Sequence, residues 1–218
     1  MGGHVNQPQN SCQPDDSIGL AAERAIQPGE LIRGKGVSLR LATLEDCGQE
    51  YLGWLEDPLV NQYLETRWNK QTLELIRSFV TSCLTSSDSY LFAIVVNKTN
   101  KHIGNIKVGP IQRIHSYADV SYFIGDSGMW GYGYGSEAIR LVTQFSFHTL
   151  GLHRLQAGVY ASNTGSIRAL EKAGYALEGK SGRKLRGKDG WEDHLHFGLV
   201  NDDWQAGHQD GSCPARLL

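Results

Sequence analysis

The spacing of hydrophobic positions changes several times along the chain, and each change marks an element. Val37, Leu39 and Leu41 alternate with polar residues, which predicts a first strand. Thr43-Leu44-Glu45-Asp46 fits a capping box; Leu44, Cys47, Tyr51 and Leu55 follow at helical spacing until Asp57-Pro58 ends the helix. Leu73, Ile76, Val80 and Cys83 predict a second helix. The apolar run 91–96 reads as a buried strand, a turn follows at 97–101, and 102–111 reads as its antiparallel neighbour. Ala118, Val120, Tyr122 and Ile124 alternate on a fourth strand. From about Ser136 a helix sets Ala138, Leu141, Val142 and Phe145 against a polar face of Glu137, Arg140 and Gln144. Residues 155–160 predict a fifth strand, 164–173 a third major helix, and two more strands lie near 175–179 and 192–200. That order predicts a mixed α/β domain built on a central sheet.

The flanks read differently. Residues 1–35 are rich in Gly, Pro, Gln, Asn and Asp and bury too little apolar surface to offset their ordering entropy, so they are expected to form a polar tail. Within them, 20–26 has the composition for a helical turn or two. Residues 205–218 read as a second tail, which leaves 36–204 as the globular domain. The formal charge of −2 and pI near 6.4 give no positive field for a nucleic-acid binder. No run of 18 apolar residues predicts a membrane span. The first residues have neither the basic nor the apolar region of a secretory signal, and Asn6 breaks the myristoylation pattern. Cys12, Cys47, Cys83 and Cys213 are scattered without a C-x-x-C pair, as expected of reduced thiols in a cytoplasmic protein.

The strongest local signal is Trp130-Gly131-Tyr132-Gly133-Tyr134-Gly135-Ser136, between a strand and a helix. Glycines let a ligand approach the backbone closely, and successive N–H groups at a helix N-terminus can grip a diphosphate without a lysine. The loop ends Gly135-Ser136-Glu137, not the G-K-[ST] of an ATP or GTP site. It also follows a run of antiparallel strands, and not the first strand of a dinucleotide-binding unit. A glycine-rich turn without a ligand is the alternative.

Taken with the segment from Leu152 to Tyr175, the loop resembles the GNAT superfamily of acyl-CoA-dependent N-acetyltransferases, and within it the RimJ/RimL-type branch. The superfamily's phosphate loop falls on 130–135, where Gly133 and Gly135 match and Trp130 replaces the usual Arg or Gln. The branch's N-x-x-S…L-E-K-x-G-F pattern falls on Asn163, Ser166, Leu170-Glu171-Lys172, Gly174 and Tyr175. The resemblance covers about 37–200. It implies a mostly antiparallel mixed sheet with splayed fourth and fifth strands and helices on both faces. Acetyl-CoA, as cosubstrate, would lie in that V. Its diphosphate would meet the amides of Gly131, Tyr132, Gly133, Tyr134, Gly135 and Ser136, and its pantetheine arm would run past Phe123, Ile124 and Gly125. Asn163 would bond the arm, and Ser166 would face the sulfur and protonate the leaving thiolate. The resemblance also implies a small-molecule or peptide amine as acceptor, with neither nucleic acid nor membrane as partner and the chain a monomer or homodimer. A CoA-binding module without catalysis is the rival from another class, and a nucleotide-binding domain a third.

The acceptor amine must be neutral to attack. A lysine amine at pH 7 costs about 4.6 kcal/mol to neutralise, an α-amine about 1–1.4 kcal/mol. Some relatives place a glutamate base between the last two strands. Here 180–190 has none, and Leu185 takes its place. Asp119, His115 and Glu65 are the other candidate bases, so the expectation leans to a low-pKa amine: a protein N-terminus or a nucleotide-linked amino sugar. Lys180, Arg183, Lys184, Arg186 and Lys188 form either a solvated hairpin or an anion site. Arg67-Trp68 either anchors its loop or shapes the acceptor pocket. His194 and His196 share one face of a strand, but no third ligand of clear spacing makes them a metal site.

Overall fold

The computed structural model describes residues 25–204. One eight-stranded sheet runs through it: β1 (Leu31–Arg33), β2 (Val37–Leu41), β3 (Tyr90–Val96), β4 (Lys101–Gln112), β5 (Tyr117–Ile124), β6 (Arg154–Tyr160), β7 (Ala176–Arg186) and β8 (Trp191–Val200). The spatial order is β1-β2-β3-β4-β5-β6-β8-β7, and the pairs are antiparallel except for the parallel β5–β6 pair. The expected fourth and fifth strands are therefore β5 and β6.

The expected boundary at residue 36 falls inside the fold. Leu31–Arg33 pairs with β2, and Ile26 is buried against the main core. A short edge strand supplied by an adjoining polar turn has too few apolar positions to show a period of two. Of the helical turn expected within 20–26 only residues 25 and 26 are described, and they are not helical; the remaining tail expectations, including the segment 205–218, lie outside the described residues.

Helices cover both faces. On one lie α1 (Gln49–Glu56), the single turn α2 (Pro58–Asn61) and α3 (Leu73–Thr85); on the other lie α4 (Tyr134–Gln144) and α5 (Thr164–Lys172). The periodicities explain which side each helix turns inward. Tyr51, Trp54 and Leu55 from α1, with Ile76, Val80 and Cys83 from α3, bury against Leu91 of β3. Ala138, Ile139, Val142 and Phe145 pack on the opposite side against Phe92, Ile94, Ile106 and Val120. β3 is buried on both faces, which is why its sequence is a continuous apolar run. Asp57 ends α1 and its carboxylate accepts the Leu59 N–H, so the Asp-Pro pair caps a new turn as well as stopping a helix. The capping box at Thr43–Asp46 opens a single 3-10 turn, and α1 begins only at Gln49.

His102 is half-buried beside Asp46, with Nδ1 3.6 Å from Oδ1 and Nε2 within 2.9–3.0 Å of the Gly104 carbonyl and Asn105 Oδ1. Burial pushes its pKa below the ordinary imidazole value despite Asp46. The unfolded chain therefore binds this proton first, near pH 6.5. The stability tied to His102 is present above that value and is lost as pH falls from about 6.5 through the lower folded pKa. Urea midpoints should fall between pH 7.5 and 5, and the decline should be shallower in His102→Gln.

Candidate active site

β5 and β6 are paired only from Tyr117–Asp119 to Arg154–Gln156; beyond this they part, and the edge of β5 from Val120 to Ile124 has no strand partner toward β6. The fork is the expected V. The Gly-rich loop stands at its open end. Gly131 and Gly133 both have φ of +83°, a left-handed conformation that L side chains rarely adopt, and a Cβ on either would meet nothing within 4 Å. Gly133 is the N-cap of α4, whose first turn is turned to the same space. The main-chain N–H groups from Gly131 to Ser136 donate to no acceptor among the described residues; the first engaged amide is that of Glu137, which donates to the Gly133 carbonyl. Six open donors at a helix N-terminus, with no side chain in front of the two glycines, fit the diphosphate of acetyl-CoA.

The loop is held by its neighbours. The Glu137 carboxylate accepts the Lys35 and Gly36 N–H groups, which ties the β1–β2 turn to the first turn of α4. Trp130 donates its indole N–H to the Ile124 carbonyl at 2.9 Å, so it braces the loop from β5 where relatives place a polar side chain. Tyr132 and Tyr134 stack with ring centres 5.7 Å apart.

The residues expected along the pantetheine arm divide. Ile124 lies on the open stretch of β5. Phe123 turns its ring away to Tyr51 and Trp54, at 5.8 and 6.2 Å. Gly125 donates its N–H to the Ile103 carbonyl at 2.8 Å, and a Cβ there would overlap the Trp54 indole, so it serves close packing. Asn163 caps α5: its Oδ1 accepts the Ser166 N–H at 3.1 Å. That oxygen is engaged, which leaves the amide nitrogen of Asn163 for a ligand. Ser166, half-buried in the first turn of α5, has its hydroxyl in the neighbourhood of that of Tyr122 from β5. Burial raises the Tyr122 pKa, so both groups are neutral proton carriers at the fork. The sequence signal for Tyr122 was only its alternation on a strand.

The other face of the fork, opposite α4 and α5, is polar. Asp119 and Gln156 are the last paired residues before the strands part, and Gln156 Nε2 donates to Asp119 Oδ1 at 2.9 Å. They line a cavity of about 200 Å³ with Gly158, Glu178, His194 and His196. The His194 ring lies over Gly158, where a Cβ would overlap it. Burial, then the adjacent Lys184 ammonium 3.1 Å from Nδ1, pushes the His194 pKa down. His196 bonds Ser181 at 2.9 Å, and no metal-binding cluster of three ligands exists among the described residues.

Of the other candidate bases, His115 sits on the exposed turn before β5, stacked on Tyr117, whereas Glu65 accepts the Tyr160 hydroxyl at 2.6 Å. Burial and then Glu65 push the Tyr160 pKa up to about 12. The expected strand near 175–179 runs on to Arg186, and Leu185 faces Glu192 on β8. Glu192 accepts the Ser162 N–H at 3.0 Å, so a glutamate does stand by the β6–α5 turn, but from the last strand. The basic segment is mostly strand, and its cations are dispersed: Lys180 pairs with Asp193 at 2.8 Å and Lys184 meets His194.

A family model described as an acetyltransferase (GNAT) domain matches residues 37–176. The chain is 37% identical over 121 residues to the probable N-acetyltransferase YjcK of Bacillus subtilis (strain 168), which takes in 55% of this chain and 66% of that protein, just under two thirds. Among solved structures, the ribosomal-protein-S5-alanine acetyltransferase of Vibrio fischeri superposes with a TM-score of 0.68 at 21% identity, over 81% of this chain and 99% of that one. RimL, a ribosomal L7/L12 alpha-N-protein acetyltransferase in complex with coenzyme A, superposes with a TM-score of 0.70 at 17% identity, over 79% and 99%. These two likenesses show the fold; the family match, over more than half of the chain and across both the loop and the fork, shows the family. The chain belongs to the GNAT acetyltransferases.

Proposed function

We propose that the chain is an N-acetyltransferase that takes its acetyl group from acetyl-CoA, that the acceptor is an amine of low pKa, a peptide N-terminal α-amine foremost and a nucleotide-linked amino sugar second, and that it enters the fork from the face of Asp119. The observation that carries this is the position of Asp119: a half-buried carboxylate at the point where β5 and β6 part, beside an open cavity. The nitrogen lone pair attacks the thioester carbon, the new C–N bond replaces the C–S bond, and the amine proton passes to the Asp119 carboxylate. Ser166 gives its hydroxyl proton to the departing sulfur and takes one back from solvent, with the Tyr122 hydroxyl near it. The dipole at the start of α5 favours the negative charge that develops there.

Three observations support the choice of amine. No glutamate lies between the last two strands. Neutralising an α-amine asks about 3 kcal/mol less of a base than neutralising a lysine. The solved relatives named above are a ribosomal-protein-S5-alanine acetyltransferase and a ribosomal L7/L12 alpha-N-protein acetyltransferase. The Ser166–Tyr122 pair favours catalysis over a module that only binds CoA. The buried thiols of Cys47 and Cys83 suit the cytoplasm, and no helix among the described residues is long and apolar enough to cross a membrane.

Acetyl transfer to N-terminal peptides, amino-sugar nucleotides, free polyamines and lysine peptides with blocked N-termini should show turnover of the first two classes. Turnover confined to lysine side chains would defeat the low-pKa assignment.

A further inference from the structure

Beyond the fork, at the end of β6, a second cluster is built around Arg67. The 3-10 turn Glu65–Trp68 lies against this strand end, and Tyr63 donates its hydroxyl to the Ser162 carbonyl at 3.2 Å. The Arg67 guanidinium lies 4.4 Å from the centre of the Trp68 ring and 4.9 Å from that of Tyr160. Its Nη2 donates to the Arg186 carbonyl at 2.6 Å and to the Tyr160 hydroxyl at 3.2 Å. Its Nη1 is buried and meets no acceptor. The Arg186 guanidinium stands 5.8 Å from the same Trp68 ring, so two cations flank one indole. Neither arginine forms an ion pair with a carboxylate among the described residues. The nearby Glu65 carboxylate is engaged by Tyr160.

A buried donor without an acceptor is destabilising, and native structures seldom retain one without a reason. Two guanidinium groups without an ion-paired carboxylate among the described residues, beside the end of β6, supply planar forks that fit a carboxylate or a phosphate. We infer that Arg67, Arg186 and Trp68 form a subsite for an anionic group carried by the amine acceptor. The inference rests on the acetyl-transfer reading and deepens it by giving the acceptor a charge. It also gives a rough length. Tyr160 lies four residues along β6 from Gln156 at the fork, about 13 Å of extended chain. The anion is therefore set back from the reacting amine, as in a peptide with an acidic residue just after its N-terminus or an amino sugar on a nucleoside diphosphate. A polyamine would bring cations against both arginines.

The test uses matched acceptors at saturating acetyl-CoA: a tripeptide with glutamate at its third position against glutamine there, and an amino-sugar nucleotide against the free amino sugar. The first pair reports a carboxylate, the second a diphosphate. The wild type should favour the anionic member of at least one pair by about tenfold or more in kcat/KM, through KM. In Arg186→Gln that ratio should fall to within about threefold; this side chain makes no hydrogen bond to the described residues, so the fold is not at risk. Arg67→Gln should lower it further, with thermal unfolding measured alongside. Equal use of both members by the wild type, or a preference that survives both substitutions, would overturn the subsite. If no amine is acetylated, the acetyl-transfer reading fails, and the subsite is judged by binding alone. Inorganic phosphate is then titrated into the CoA-saturated protein and followed by tryptophan fluorescence. A response lost in Arg67→Gln/Arg186→Gln sustains the subsite, and one absent or unchanged overturns it.

Discussion

Replacement of Asp119 by asparagine is expected to lower kcat about 10²- to 10³-fold with an N-terminal peptide as acceptor. The asparagine keeps an oxygen for the Gln156 amide, whose bond to Asp119 spans 2.9 Å, so the strand junction survives while the proton acceptor is lost. The pH profile separates this role from a structural one. Without the carboxylate the amine must lose its proton to solvent, so the variant's rate should climb as pH rises toward the α-amine pKa, about 8. The gap from the wild type should narrow over the same range. A uniform loss at every pH, or a change in KM alone, would remove Asp119 from proton transfer.

Ser166→Ala is the second large effect. The hydroxyl proposed to meet the departing sulfur disappears, while the Asn163 cap, which holds the Ser166 main-chain N–H, remains. kcat should fall about 10²-fold or more while the dissociation constant of CoA, measured by calorimetry, changes by less than about threefold. On the proposed reading the CoA affinity comes from the loop amides at 131–136, which the substitution does not touch. Tyr122→Phe should produce a smaller loss in the same direction, since its hydroxyl acts behind that of Ser166. Full turnover in Ser166→Ala would place the proton donor elsewhere and revive the CoA-binding module without catalysis.

The elements that bury one clear face were legible along the chain. Ile76, Val80 and Cys83 stand on one side of α3, and Ala138 and Val142 on one side of α4, because a helix against a sheet admits apolar groups only at that spacing. β3 declared itself by an unbroken apolar run because both of its faces are covered. β1 and the second half of β7 did not. Both are edge positions with exposed residues, where no buried face imposes an alternation. Gly125 shows the same limit inside the site. A glycine beside a phosphate loop suggests contact with the ligand, but here it makes room for the Trp54 indole from α1, some seventy residues earlier in the chain.

Local chemistry written in consecutive residues survived folding unchanged: the glycine spacing that bares the amides of 131–136, the Asn163 cap three residues before Ser166, and the Asp57-Pro58 stop. These depend on backbone conformations and short-range hydrogen bonds, which a few adjacent residues can impose. The acceptor side of the cleft arises in another way. Asp119 meets Gln156 across a strand pair, Glu65 and Arg67 meet Tyr160 from a turn more than ninety positions away, and Glu192 reaches Ser162 from the last strand. No periodicity records such meetings, because each is set by which strands pair and where they part, and that depends on the packing of the whole sheet.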